Sequence, residues 1–171
     1  MVFNLALNHL QQREEAEEVT QDVFVKVHQK LAGFTGRSSV KTWIYRIAVN
    51  QCLDRLKARK RHKRSGLRLF AGDDRDPAPE LPSHDHPGVR LEDKEAVHEL
   101  FNMIDELPER QRTALILKAM DGLEQQEIAE IMQLHVKAVE SLLSRAKAGL
   151  KKKLNEREGP TPGTASNTPR K

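Results

Sequence analysis

The chain has 171 residues, 37% apolar and 32% charged, with a net charge of +4 and a pI near 9.3. That balance suits one domain or two small helical bundles joined by solvated segments better than one large globule. Aromatics are only 4%, so Leu, Ile, Val, Ala and Met must build the cores; the single Cys52 excludes an internal disulfide framework, no apolar run approaches membrane-spanning length, no secretory leader pattern is visible, and the expected compartment is the cytoplasm.

Residues 2–10 carry Phe3, Leu5, Ala6 and Leu10 and predict a short first helix. Residues 14–32 repeat Ala16, Val19, Val23, Phe24, Val27 and Leu31, a helical stripe that Gly33 and Gly36 end. Ser38 or Ser39 can N-cap the next helix. That helix has one apolar stripe of Val40, Trp43, Ile44 and Ile47 and a second, roughly opposite, of Tyr45, Val49, Cys52, Leu53 and Leu56. Arg46, Asn50, Asp54 and Lys57 lie between them. A helix apolar on two sides is packed on two sides, so it is expected at the centre of a small bundle.

The same helix ends in Arg55, Lys57, Arg59, Lys60, Arg61, Lys63 and Arg64. One or two cations satisfy a helix C-terminus. Seven in so short a span repel one another, and such a concentrated patch fits a polyanion partner.

From about Ser65 to Arg90 periodicity fails; Pro77, Pro79, Pro82 and Pro87 exclude long helices and strands and predict a linker. His84 and His86 bracket Asp85 there, a pattern that reads as solvated rather than as a metal site. Helical spacing returns with Val97, Leu100, Phe101 and Ile104. Pro108 near a first turn opens a helix carrying Ala114, Leu117 and Met120, which stops at Gly122. A short helix over "EQQEIAEIM", the tripeptide Gln133-Leu134-His135 and a long helix with an inner face of Val136, Val139, Leu143, Ala146, Leu150 and Leu154 complete the pattern. Beyond Glu158 the polar tail is expected to be disordered. No segment has strand periodicity. The chain reads as all-α, with two small helical domains (1–64 and 92–155), a flexible linker (65–91) and a tail (156–171).

A short helix, a tight turn and a longer helix with cations outside is the shape of a helix-turn-helix. Its outer face would present Lys137, Glu140, Ser141, Ser144, Arg145, Lys151 and Lys152, side chains suited to phosphates or base edges. A generic three-helix unit would show the same inner stripe. In the first half, small polar and aromatic residues at a loop can hold unstacked bases while cations follow the backbone. Trp43 and Tyr45 lie on the apolar stripes, so their ring bodies are expected in the core, with a polar edge able to reach the surface.

The order of these pieces identifies a resemblance. "EEAEEVTQDVFVKVHQKLAGFTGRSSVKTWIYRIAVNQCLDRLKARKR" closely resembles conserved region two of bacterial RNA polymerase sigma factors of the extracytoplasmic-function (ECF) type, within the sigma-70 family. "LPERQRTALILKAMDGLEQQEIAEIMQLHVKAVESLLSRAKAGLKKKL" resembles their region four. The likeness spans about residues 2–155. It implies a region-two helical bundle and a region-four helix-turn-helix in a subunit that binds core RNA polymerase, recognises and melts promoter DNA, and starts transcription. Glu14, Glu18, Gln21 and Asp22 would dock on the clamp helices of the largest subunit. Arg37, Ser38, Ser39, Lys41, Thr42, Arg46, Asn50, Arg59, Lys60 and Arg61 would engage the minus-ten element as flipped single-stranded bases and adjacent backbone. Lys137, Glu140, Ser141, Ser144 and Arg145 would read the minus-thirty-five element, and region four would also meet the flap of the second-largest subunit. An anti-sigma factor is the expected regulator.

Some residues depart from the family pattern. Met1 falls inside the family's first region-two helix, so a shortened helix is expected. Gln133 stands where Gly is common, at a position that favours positive φ, and His135 stands where Ser or Thr usually caps. Glu140 and Leu142 replace frequent cations, and Glu140 can accept from cytosine.

The two promoter elements lie on the order of 50 Å apart, one and a half helical turns. A coil of about 25 residues spans about 25–30 Å on average and about 80–90 Å at full extension. The linker therefore permits the spacing without setting it, which favours a polymerase subunit over a free-standing helix-turn-helix regulator; the shortened first helix and the altered reading helix leave a polymerase-binding inhibitor as the alternative. No cofactor, metal or catalytic constellation is expected: there is no paired-carboxylate cleft, Cys/His metal spacing, Gly-rich phosphate loop or Ser/His/Asp set.

Overall fold

The computed structural model describes residues 1–66 and 99–158, apart from the side chains of 63–66 and 157–158. The helices are α1 (Val2–Leu10), α2 (Arg13–Lys30), α3 (Val40–Gly66), α4 (residues 99–105), α5 (Glu109–Ala119), α6 (Gln125–Met132) and α7 (Val136–Glu158). A single 3₁₀ turn, Leu31–Gly33, follows α2. No strand occurs among the described residues. Most of the expected linker, with His84–Asp85–His86, and the tail beyond 158 lie outside them.

Local chemistry sets the helix ends. Gln11, with φ 57°, closes α1 by donating its N–H to the Leu7 carbonyl. Ser39 caps α3: its Oγ accepts the Thr42 N–H at 3.0 Å and meets the Thr42 hydroxyl at 2.8 Å. The Pro108 carbonyl accepts the N–H groups of Gln111 and Arg112, starting α5. The Glu127 carboxylate accepts the Glu124 N–H at 2.8 Å at the head of α6.

α1 packs on α2 and α3, and the buried faces are Leu5, Ala6 and Leu10, then Ala16, Val19 and Val23, then Ala48, Val49, Cys52 and Leu56. In the second half α5 packs on α6 and α7 through Ala114, Leu117, Ile128, Val139, Leu143 and Ala146. Six residues assigned to apolar stripes are instead exposed: Phe24, Leu31, Val40, Leu100, Met120 and Leu154. Phe24 sits one position past Val23, on the flank of α2 rather than over the core, and Leu31 lies two turns further on that flank.

α3 is packed on two sides, as its paired stripes predict, but not within one small bundle. α1 and α2 cover one side and α6 covers the other. α1 is buried at six consecutive residues, Leu5–Leu10, and α5 at six, Arg112–Leu117. A helix buried all round needs neighbours all round, and these two helices supply each other: α1 packs against α5. Buried residues of both halves form one continuous core.

Candidate nucleic-acid and polymerase interface

Glu14, Glu18, Gln21 and Asp22 are all exposed on α2. Their spacing places them on one face. Their neighbour Glu15 turns inward, where its carboxylate meets Arg55 at 3.2 Å and Arg59 at 3.8 Å. Glu18 also meets Arg55, at 2.7 Å. Part of the basic end of α3 thus serves as a clamp on α2, while Lys60 and Arg61 are exposed.

The loop before α3 is held by the Phe34 and Trp43 rings, 5.0 Å apart and tilted by 44°. Trp43 is half-buried rather than in the core, so one side of the ring lies near solvent. Gly36 takes φ +71°, a left-handed turn that a side chain would strain. Arg37, Ser39, Lys41 and Asn50 are exposed, Ser38 and Arg46 are half-buried, and Thr42 is buried with its hydroxyl against Ser39. Thr42 and the Ser39 hydroxyl therefore fix the helix start.

Tyr45 is buried, and Lys41 Nζ lies 5.9 Å from its ring centroid. Its hydroxyl donates to Asp121 Oδ1 at 3.4 Å, a loose contact. Burial, with Asp121 next, pushes the phenol up to about 12. Burial also raises the Asp121 carboxyl.

The α6–turn–α7 unit has the geometry of a helix-turn-helix. Gln133 takes φ 55° and Leu134 donates its N–H to the Ala129 carbonyl at 2.9 Å, so the left-handed position is filled without glycine. The His135 carbonyl accepts the N–H groups of Ala138 and Val139, opening α7. Lys137, Glu140, Ser144 and Arg145 are exposed on α7 and Ser141 is half-buried. Arg145 donates to the Ser141 hydroxyl at 2.8 Å. Both residues, with Arg110, Leu134, Ala138 and Leu142, line a shallow concavity on the outer face.

Sequence reasoning missed the polar groups within the core. His9 is fully buried and neither ring nitrogen has a hydrogen-bond partner. Burial first, then the Arg112 guanidinium, lowers it to about 3. Arg112, itself buried, donates to Asp105 Oδ1 at 2.9 Å. Burial raises the Asp105 carboxyl despite that partner. Cys52 is fully buried, and its thiol is pushed up to about 12. The available signal was placement: Asn8-His9 interrupts an apolar helix, and Arg112 directly precedes "TALIL". Among the described residues no cluster of His, Cys, Asp or Glu is arranged to hold a metal, and no helix is long and apolar enough to cross a membrane.

The family models for sigma-70 region 2 and sigma-70 region 4 match residues 1–62 and 98–150. The RNA polymerase sigma-H factor of Pseudomonas aeruginosa is 33% identical over 159 residues, spanning 90% of this chain and 80% of that protein. The ECF RNA polymerase sigma-E factor of Escherichia coli is 32% identical over 82% of this chain and 74% of its own length. Among solved structures, the Bartonella quintana sigma factor RpoE, in complex with the anti-sigma factor NepR, superimposes with a TM-score of 0.65 at 22% identity, covering 90% of this chain and 89% of that one. CnrH in complex with the cytosolic domain of CnrY gives 0.61 at 22% identity, covering 90% and 79%. The chain belongs to the sigma-70 family of RNA polymerase sigma factors. Within that family it is of the ECF type.

Proposed function

We propose that this protein binds core RNA polymerase through the exposed α2 face of Glu14, Glu18, Gln21 and Asp22, and then reads and opens promoter DNA with two separate surfaces. Arg37, Ser38, Lys41, Arg46 and Asn50 engage the minus-ten strand, with Trp43 and Phe34 shaping the loop and Ser39 and Thr42 fixing it. Arg59, Lys60 and Arg61 follow the adjacent phosphates. Lys137, Glu140, Ser141, Ser144 and Arg145 read the minus-thirty-five element from α7, and region four also meets the polymerase flap. The domain limits are 1–64 and 92–155.

The observation that carries this reading is the presence of both modules on one chain, in order: a strand-capturing loop beside an acidic helix face, then a helix-turn-helix whose outer face is exposed. Melting is driven by preferential binding to the opened strand, so the protein works without catalysis, metal or cofactor. The setting is the cytoplasm, and an anti-sigma factor controls it, as the relatives solved with such partners suggest. Run-off transcription from a promoter library, with core polymerase with and without the protein, tests the reading. Discrete new start sites are expected; polymerase binding without new transcripts would refute it in favour of an inhibitor.

A further inference from the structure

The concavity on the outer face of the helix-turn-helix has a make-up that the reading just given does not use. Ala138, Ser141, Leu142 and Arg145 fall at i, i+3, i+4 and i+7 of α7 and so share one face. Leu134 joins them from the turn and Arg110 from the first turn of α5. Leu134, Ala138 and Leu142 make an apolar floor. Leu134 and Leu142 are half-buried and also pack against the core, which fixes the floor in place. The rim is polar. Arg110 and Arg145 are exposed, and Arg145 is steadied by the Ser141 hydroxyl at 2.8 Å. One bond to Ser141 leaves most of the guanidinium donors of Arg145 free for a ligand.

We propose that this concavity reads thymine methyl groups in the minus-thirty-five element, with Leu142 and Ala138 as the specificity-determining residues, Arg110 on a phosphate and Arg145 on the edge of a neighbouring base. The inference rests on the assignment of α7 to that element. An apolar floor between two guanidinium groups calls for a ligand that is anionic and yet presents a small apolar group. The major-groove edge of duplex DNA does so at thymine, whose C5-methyl stands out from the base pair between the phosphate backbones. The cavity is about 170 Å³, below the range of small-molecule sites and ample for a methyl group. It is continuous with Ser141 and Arg145 of the reading face, which favours DNA over a protein helix as its occupant.

Leu142 is the informative residue, since it stands where the family often has a cation. A cation there would share the concavity with Arg110 and Arg145. The three charges would repel one another while gripping phosphate without regard to sequence. Leu removes that repulsion and changes what the position does. A sequence-neutral phosphate contact is exchanged for one that only a methyl-bearing base completes. Arg110, reaching in from α5, keeps a cation beside the backbone. Burying one methyl group changes an association constant about three- to fivefold. Binding at this point therefore depends less on salt, and more on sequence, than it would with a cation at 142.

The test uses the full chain assembled with core polymerase and a promoter that run-off selection returns. Each thymine of the minus-thirty-five element, on either strand, is replaced one at a time by deoxyuridine, which lacks only the 5-methyl. Affinity of the assembled polymerase for the duplex fragment should fall about three- to fivefold at one position, or at two adjacent ones, and stay unchanged at the others. The change is in the DNA, so folding of the protein is not at issue. Leu142→Ala should bind the thymine fragment with a similar loss and no longer distinguish it from the deoxyuridine fragment. Leu142→Arg should lose the distinction as well and steepen the salt slope by about one. Discrimination that survives in Leu142→Ala, or a selected element with no thymine, would overturn the proposal. Deoxyuridine tolerated at every position would overturn it too and leave the concavity to a protein partner. Selected promoters with no preference at minus thirty-five would instead sink the assignment of α7, and the proposal with it.

Discussion

Acidification should loosen the seam between α1 and α5 through His9. The ring is fully buried in α1, and neither nitrogen has a partner. Burial and the nearby Arg112 guanidinium lower it from 6.5 to about 3, so it is neutral in the folded protein throughout the ordinary pH range. In the unfolded chain it takes a proton near pH 6.5. Its contribution is therefore fully present above pH 6.5 and falls below it, by about 1.4 kcal/mol per pH unit, until the folded-state value is reached. Linkage gives a loss of about 1.4 kcal/mol at pH 5.5 and about 2 kcal/mol at pH 5.0, relative to pH 7.5. Asp105 and Asp121 work in the opposite sense, because burial raises both carboxyls and a raised carboxyl gains stability as it protonates. The informative quantity is a difference between proteins. Urea unfolding at pH 7.5 and 5.5 should show the wild type losing about 1–1.5 kcal/mol more than His9→Leu, which keeps an apolar body and cannot titrate. Equal losses in the two proteins would mean that His9 is hydrated in solution and that the α1–α5 seam is not closed around it.

Cys52 should resist a disulfide reagent at pH 8 and react only in denaturant, since it is fully buried with a thiol pushed up to about 12; a stoichiometric native reaction would show the core open there. Arg112→Met should cost about 2–3 kcal/mol in urea unfolding, because it strands Asp105; that is less than for a fully buried pair, since the Asp105 side chain keeps 32% of its surface. Neutralising Arg59, Lys60 and Arg61 should weaken promoter binding for every sequence and lower the salt slope by about 1–2, with most of the effect from Lys60 and Arg61 because Arg59 lies against Glu15; an unchanged slope would remove the phosphate role. Trp43→Ala should lower stability by about 1–2 kcal/mol and change promoter choice less, and a folded variant with altered promoter choice would place the exposed side of the ring in base contact.

Helical periodicity made the elements legible where a helix buries one stripe against its neighbours, as α2 does with Ala16, Val19 and Val23. Capping was equally local: Ser39 accepts the N–H three residues on, and the left-handed residue of the helix-turn-helix turn falls at Gln133, where the spacing required it. The pairing of faces was less legible. Period identifies which residues turn inward but not which helix meets them: Val49, Cys52 and Leu56 of the second stripe lie in the core with α1 and α2, while α6 from the other half also packs on α3, near Lys41 and Arg46. Phe24 was misplaced for a related reason: adjacent apolar residues such as Val23 and Phe24 point about 100° apart on a helix, and only one can face the core.

Charge reading met a more basic limit. Lys41, Arg46 and Lys57 are cations suited to a polyanion, and composition cannot distinguish phosphate oxygens from the oxygens of Glu127, Glu130 and Glu109. These partners lie 86, 84 and 52 positions further along the chain. A cationic helix face fits an internal acidic helix as readily as a polyanion whenever the two can meet. The described halves share one continuous core, so they do meet here.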